Sequence, residues 1–77
     1  MRRLGTVDRI SQGKLLVAIE GNDPPRIGAN VVDEMLDSIG TVVDVIGPVD
    51  APLAVVNPTE GSPSVDRLDK RVYLRDG

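Results

Sequence analysis

The apolar positions fall in short runs cut by glycine and proline, at the spacing of strands rather than helices. The first run is Arg2 to Ile10 (RRLGTVDRI), closed by a tight turn at Ser11-Gln12-Gly13. The second, Lys14 to Glu20 (KLLVAIE), is nearly all apolar, which predicts a strand buried on both faces or at an interface. Gly21-Asn22-Asp23-Pro24-Pro25 is a loop, because its prolines supply no N–H to a helix or a ladder. Ala29 to Val32 is a short third strand, and Asp33 to Ser38 (DEMLDS) is either one helical turn or a loop. Gly47 to Pro52 (GPVDAP) is a rigid turn, Leu53 to Asn57 a fifth strand stopped by Pro58, and Thr59 to Ser64 a flexible loop. Arg71 to Arg75 is a last strand, with Val72 and Leu74 on one face and Tyr73 on the other.

The strand Ile39 to Ile46 (IGTVVDVI) carries the most information. Strict alternation assigns Ile39, Thr41, Val43 and Val45, all β-branched, to a core face. The opposite face then holds Gly40, Val42, Asp44 and Ile46, which is too apolar for ordinary solvent exposure. The start of this strand echoes the first one, since Leu4-Gly5-Thr6-Val7 recurs as Ile39-Gly40-Thr41-Val42. A glycine second in a strand leaves room for a bulge or sharp bend, so the two strands are expected to solve the same bending problem. About six short strands, little helix and one aliphatic core predict an all-β fold, a small six-stranded barrel formed by a single domain over residues 1–77. A closed or nearly closed barrel also removes the unpaired edges that invite aggregation.

Composition sharpens this picture. Tyr73 is the sole aromatic residue, so the core has to be built from Val, Ile, Leu and Ala, at about 1.5–3 kcal/mol for each larger side chain buried. The chain has no cysteine and no histidine. That removes thiol chemistry, disulfide staples, cysteine zinc sites and the commonest general base together, and it fits a reducing, cytoplasmic setting. The net charge of −3 argues against a chain that grips a phosphate backbone unaided. The longest apolar run, Leu15 to Ile19, is far too short to span a bilayer as a helix, so no membrane role is expected.

Catalytic candidates are few. Neither a Ser-His-Asp nor a Cys-His arrangement can be assembled, and the glycines sit singly rather than in a phosphate-cradling loop. The neighbouring carboxylates Asp33 and Glu34 read as solvated surface, and no clustered Asp loop suits a metal. No catalytic residue, cofactor, metal or small-molecule ligand is therefore expected. Arg2 and Arg3, or Arg67, Lys70 and Arg71, offer local phosphate contacts, but the ordinary reading of each is a charged strand end. Protein–protein contact remains. The pattern nominates Val42, Asp44, Ile46, Gly47, Pro48 and Val49 as the partner-binding surface, flanked by Val32 and Pro52. The prolines pre-stiffen that turn and lower the entropy lost on docking.

Several motifs together resemble a known family. They are Arg3-Leu4-Gly5 with Val7, then Val31-Val32-Asp33, then Ile39-Gly40, Val42, Asp44-Val45 and Gly47-Pro48-Val49 with Pro52 after them. In this order, and with Asn57-Pro58 and Val72-Tyr73-Leu74 later, the chain is similar to the archaeal Gar-family subunit of box H/ACA ribonucleoproteins. The resemblance implies a six-stranded barrel like those of translation factors. It implies docking on the catalytic domain of a dyskerin-type pseudouridine synthase, with the H/ACA guide RNA met only indirectly. It further implies a part in moving the synthase's thumb loop during substrate RNA loading and release, with catalysis left to the partner. Two other readings stay open on the residues alone. One is a PRC-type barrel adaptor in ribosome maturation, suggested by the Ile39-Gly40-Thr41-Val42-Val43-Asp44-Val45 run; the other is a barrel that binds RNA directly.

Overall fold

The computed structural model describes residues 2–21, 24–59 and 65–75. Its strands are β1 (Arg2–Ser11), β2 (Lys14–Ile19), β3 (Asn30–Val32), β4 (Ser38–Ile46), β5 (Leu53–Pro58) and β6 (Arg71–Leu74), with a 3-10 turn at Val65–Arg67. The strands close into a barrel in the order β1-β2-β5-β4-β3-β6, and each neighbouring pair is antiparallel. The six runs read from the pattern are thus the six strands. The loop expected at Gly21 to Pro25 lies partly outside the described residues, and the one expected at Thr59 to Ser64 lies outside them beyond Thr59. Of the stretch Asp33 to Ser38, Asp33 to Asp37 form the turn between β3 and β4, without a helical turn, and Ser38 begins β4.

The barrel is filled by aliphatic side chains alone. Leu4, Val7, Leu15, Val17, Val31, Ile39, Val42, Ala54, Val56, Val72 and Leu74 form one cluster. Among the described residues no polar or charged side chain is buried with them. β-Branched valines suit this space because they are stiff at χ1 and pack well on a pleated surface.

The echo between β1 and β4 extends to the whole barrel. From Leu4 to Ser11 and from Ile39 to Ile46 the order of buried and exposed positions is the same. Each strand carries two register shifts, between Arg3 and Gly5 and between Val7 and Arg9 in β1, and across Ile39 and between Val42 and Asp44 in β4. Loop hydrogen bonds repeat as well. The Val7 N–H donates to the Lys70 carbonyl at 3.0 Å and the Asp69 N–H to the Val7 carbonyl at 2.9 Å. In the other half, Val42 N–H donates to Ala29 at 3.0 Å and Gly28 N–H to Val42 at 2.6 Å. The β6-β1-β2 half and the β3-β4-β5 half are therefore related by an approximate two-fold axis. The axis passes between β2 and β5, where Leu15 faces Val56 and Val17 faces Ala54.

The bulges overturn strict alternation in β4. Ile39, Val42 and Val45 point to the core, three residues apart rather than two. Val43, expected inside, is the extra residue of the bulge and is 42 % exposed. Val42, expected on the outer partner-binding face, is fully buried, and its flank Val32 is 1 % exposed. The bulge at Ile39 reverses the facing of Val42, and the second bulge, which leaves Val43 outside, restores the expected facing of Asp44, Val45 and Ile46.

Two glycines make these bends possible. A Cβ at Gly5 would collide with the Ala18 carbonyl on β2, and one at Gly40 with the Asn57 carbonyl on β5, both backbone atoms that cannot step aside. Gly40→Ala and Gly5→Ala should each cost at least about 2 kcal/mol, lowering the thermal midpoint by roughly 8–16 °C. Gly21→Ala, where a Cβ meets nothing, should cost only about 1 kcal/mol for its left-handed backbone. Melting curves followed by circular dichroism check the ranking; a Gly40→Ala chain that melts with the wild type would contradict it.

Candidate functional site

Two hairpins occupy equivalent places in the two halves, and they differ. The β1–β2 hairpin turns in two residues, Gln12 and Gly13, both at positive φ as a tight primed turn requires. The β4–β5 hairpin takes six residues, Gly47 to Pro52, entered at Gly47 with φ 94° and braced by an Ala51 N–H donating to the Pro48 carbonyl at 3.1 Å. The longer loop carries Val49 wholly into solvent.

The outer faces differ in chemistry too. At the β1 bulge the exposed residues are Asp8 and Arg9, joined by a 2.9 Å ion pair, and the strand ends at exposed Ser11. The matching positions of β4 are Val43, Asp44 and Ile46, with Val43 and Ile46 each 42 % exposed. One oxygen of Asp44 accepts the Val45 N–H at 2.8 Å, which holds that carboxylate on the bulge. Ile27, also exposed, precedes Gly28, whose N–H is bonded to the Val42 carbonyl beside the bulge. The result is an apolar outer face with Val43 and Ile46 on β4 and Val49 on the loop that follows.

Of the residues nominated from the pattern, Asp44, Ile46, Gly47, Pro48 and Val49 are exposed and adjoin one another at the end of β4, and Pro52 is half-buried at the loop's exit. Val42 and Val32 are core residues, and their side chains offer nothing to a partner in the folded chain. Val43 belongs to the exposed face and escaped the pattern. Val43 was recoverable from the echo, because Asp8 holds the same place after Val7 and has to face water.

Asp33, the motif residue after Val31 and Val32, closes its own turn and ties it to the turn before β6. One carboxylate oxygen accepts the N–H groups of Met35 at 2.9 Å and Asp37 at 3.0 Å, while the other faces the Arg67 guanidinium at 3.3 Å. Burial alone would raise this carboxyl; the Asp37 and Met35 N–H groups and Arg67 together outweigh it and hold the pKa below the ordinary aspartate value. The turn they close places Leu36 at φ 67°, a left-handed position that leucine seldom takes. Across pH 6 to 3, stability from Asp33 is present above the unfolded aspartate value, about 4, and is lost as pH falls through the lower folded value. Asp33→Asn should therefore melt lower at pH 6 and lose less on acidification than the wild type. Parallel acid limbs in thermal melts of the two chains would refute this assignment.

Among the described residues no group of three or more carboxylates could hold a metal ion. The site is thus a surface rather than a cleft: a stiff, apolar corner on one half of a barrel whose other half is charged at the same place. A comparison with curated proteins finds no match. The family model described as the Gar1/Naf1 RNA binding region matches residues 1–76. With that match across nearly the whole chain and the closed six-stranded barrel, the protein belongs to the Gar1/Naf1 family and is a Gar1-type subunit of H/ACA ribonucleoproteins, the particles that pseudouridylate rRNA.

Proposed function

We propose that the chain is a non-catalytic subunit that docks on the catalytic domain of a dyskerin-type pseudouridine synthase through the outer face of β4 and the Gly47–Pro52 loop. One observation carries the reading. The approximate two-fold gives each position an internal control, and Asp8 and Ser11 show that the bulge folds with polar residues where β4 has Val43 and Ile46. The apolar choice on β4 is therefore not required by the barrel, and a contiguous exposed apolar face on a folded domain marks a contact surface. The stiff loop supports the same reading, because a segment ordered before binding loses less entropy on docking.

Such a subunit aids substrate RNA loading and release by differential affinity. It binds the synthase better in one arrangement of the thumb loop than in the other, since equal affinity for both would shift nothing. The chain's own residues supply contact and no bond-making step.

Ile46→Asp with Val49→Asp should weaken binding to the synthase by at least about 2 kcal/mol, roughly 30-fold, in a titration calorimeter. Both residues are exposed, so the melting temperature should hold. Val42→Asp should instead unfold the chain, because it places a charge in an apolar core. Failure of the wild-type chain to bind the synthase would overturn the reading, and undiminished binding by the double variant would move the contact elsewhere.

A further inference from the structure

The two halves of the barrel meet along two seams, and the seams are unequal. At β2–β5 the ladder runs through four pairs, from Leu15 with Val56 to Ala18 with Leu53, and the Ile19 N–H extends it by donating to the Pro52 carbonyl at 3.2 Å. At β3–β6, among the described residues, it has two, Val31 with Leu74 and Val32 with Tyr73, and the Arg75 N–H adds a bond to the Asn30 carbonyl at 3.0 Å. Past Val32 the chain leaves the ladder for the turn into β4. A groove opens there, with Asp33, Glu34 and Met35 of that turn on one side and Arg67, Lys70 and Arg71 on the other.

The Asp33 carboxylate meets the Arg67 guanidinium across this groove at 3.3 Å, the two side chains being 22 % and 34 % exposed. The pair joins one half to the other, because Asp33 follows β3 and Arg67 precedes β6. Tyr73, half-buried, stands opposite Val32 at the same seam and outside the aliphatic cluster. By contrast, the bonds from Val7 to the loop before β6 and from Val42 to the loop before β3 each stay inside one half. A folded chain opens most readily where the fewest pairings hold it, and contiguous elements open together. The shorter seam is that place.

We propose that the barrel is a clasp: it opens at the β3–β6 seam as one cooperative unit, its halves hinge on the β2–β5 ladder, and the Asp33–Arg67 ion pair latches it shut. Opening parts Val31 from Leu74 and Val32 from Tyr73 and leaves the ladders within each half whole. It moves the half that carries Val43, Ile46 and Val49 relative to the half that carries Asp8 and Arg9. The barrel thereby changes shape while its β4 face stays covered. The clasp does not depend on synthase docking, and the isolated chain tests it.

The test is hydrogen exchange of the whole, isotope-labelled chain followed by NMR. Bonded pairs alternate along an antiparallel ladder, so the Arg75–Asn30 bond makes Val32 and Tyr73 the next bonded pair, and the Ile19–Pro52 bond does the same for Val17 and Ala54. The Val32 and Tyr73 amides should exchange at least about tenfold faster than those of Val17 and Ala54. Val72 and Leu74, which pair with β1, should stay as slow as the β2–β5 set. Arg67→Gln should speed Val32 and Tyr73 roughly threefold. Leu16→Ala weakens the hinge, whose contacts persist in the open state. It should speed Val17 and Ala54 roughly fivefold and leave Val32 and Tyr73 within about twofold. A common exchange rate at both seams would overturn the clasp, as would equal acceleration of both seams by Leu16→Ala. Fast exchange of Leu74 together with Tyr73 would overturn it too, by assigning the motion to fraying of the chain end. Unchanged rates in Arg67→Gln would remove the ion pair as its latch.

Discussion

The close approach of two glycines to neighbouring carbonyls is the constraint on which the barrel depends. At Gly5 the backbone of β1 lies against Ala18 of β2, and at Gly40 the backbone of β4 lies against Asn57 of β5. Closing six short strands around a core without aromatic residues leaves a narrow interior, and the strands have to bend sharply to enclose it. The bend needs a bulge, and this degree of contact needs a residue without a Cβ. The rest of the fold, including which side chains face outward on β4, is set by where those bends occur.

The two-fold repetition separates what the fold requires from what it permits. Positions matched in both halves, such as Leu4 with Ile39 and Val7 with Val42, are apolar and buried in each, because both halves contribute to one core. Positions that differ, such as Asp8 against Val43 or Ser11 against Ile46, lie on the outside, where folding leaves the choice open. An apolar choice there has to be explained by something outside the barrel. The longer β4–β5 hairpin extends the same face, since it projects Val49 from a proline-braced loop on the apolar half alone.

Charge is divided in the same uneven way. The acidic residues are spread over the barrel, and several hold local structure. Asp33 closes the β3–β4 turn and engages Arg67, Asp44 secures the β4 bulge, and Asp8 and Glu20 pair with arginines. Arg2, Arg26 and Arg75 come from two ends of the chain and a central loop, and gather only when β1, β3 and β6 meet. Net charge alone describes this surface poorly, because these arginines, among the described residues, are gathered rather than spread.

The order of residues was enough to set the number and approximate bounds of the strands, the all-β class and the aliphatic core, because turn residues and apolar runs act locally. It also held the L-G-T-V and I-G-T-V echo that marks both bends, and the motifs that match the family. Which face of β4 looks outward was decided only on folding. The two bulges move Val42 in and Val43 out, and a bulge is set by pairing with strands distant in the chain. Folding likewise made Val32 a core residue and brought Arg2, Arg26 and Arg75, distant in the chain, to one groove. Each of these depends on closure of the barrel, and a period-two reading along a single strand carries no information about closure.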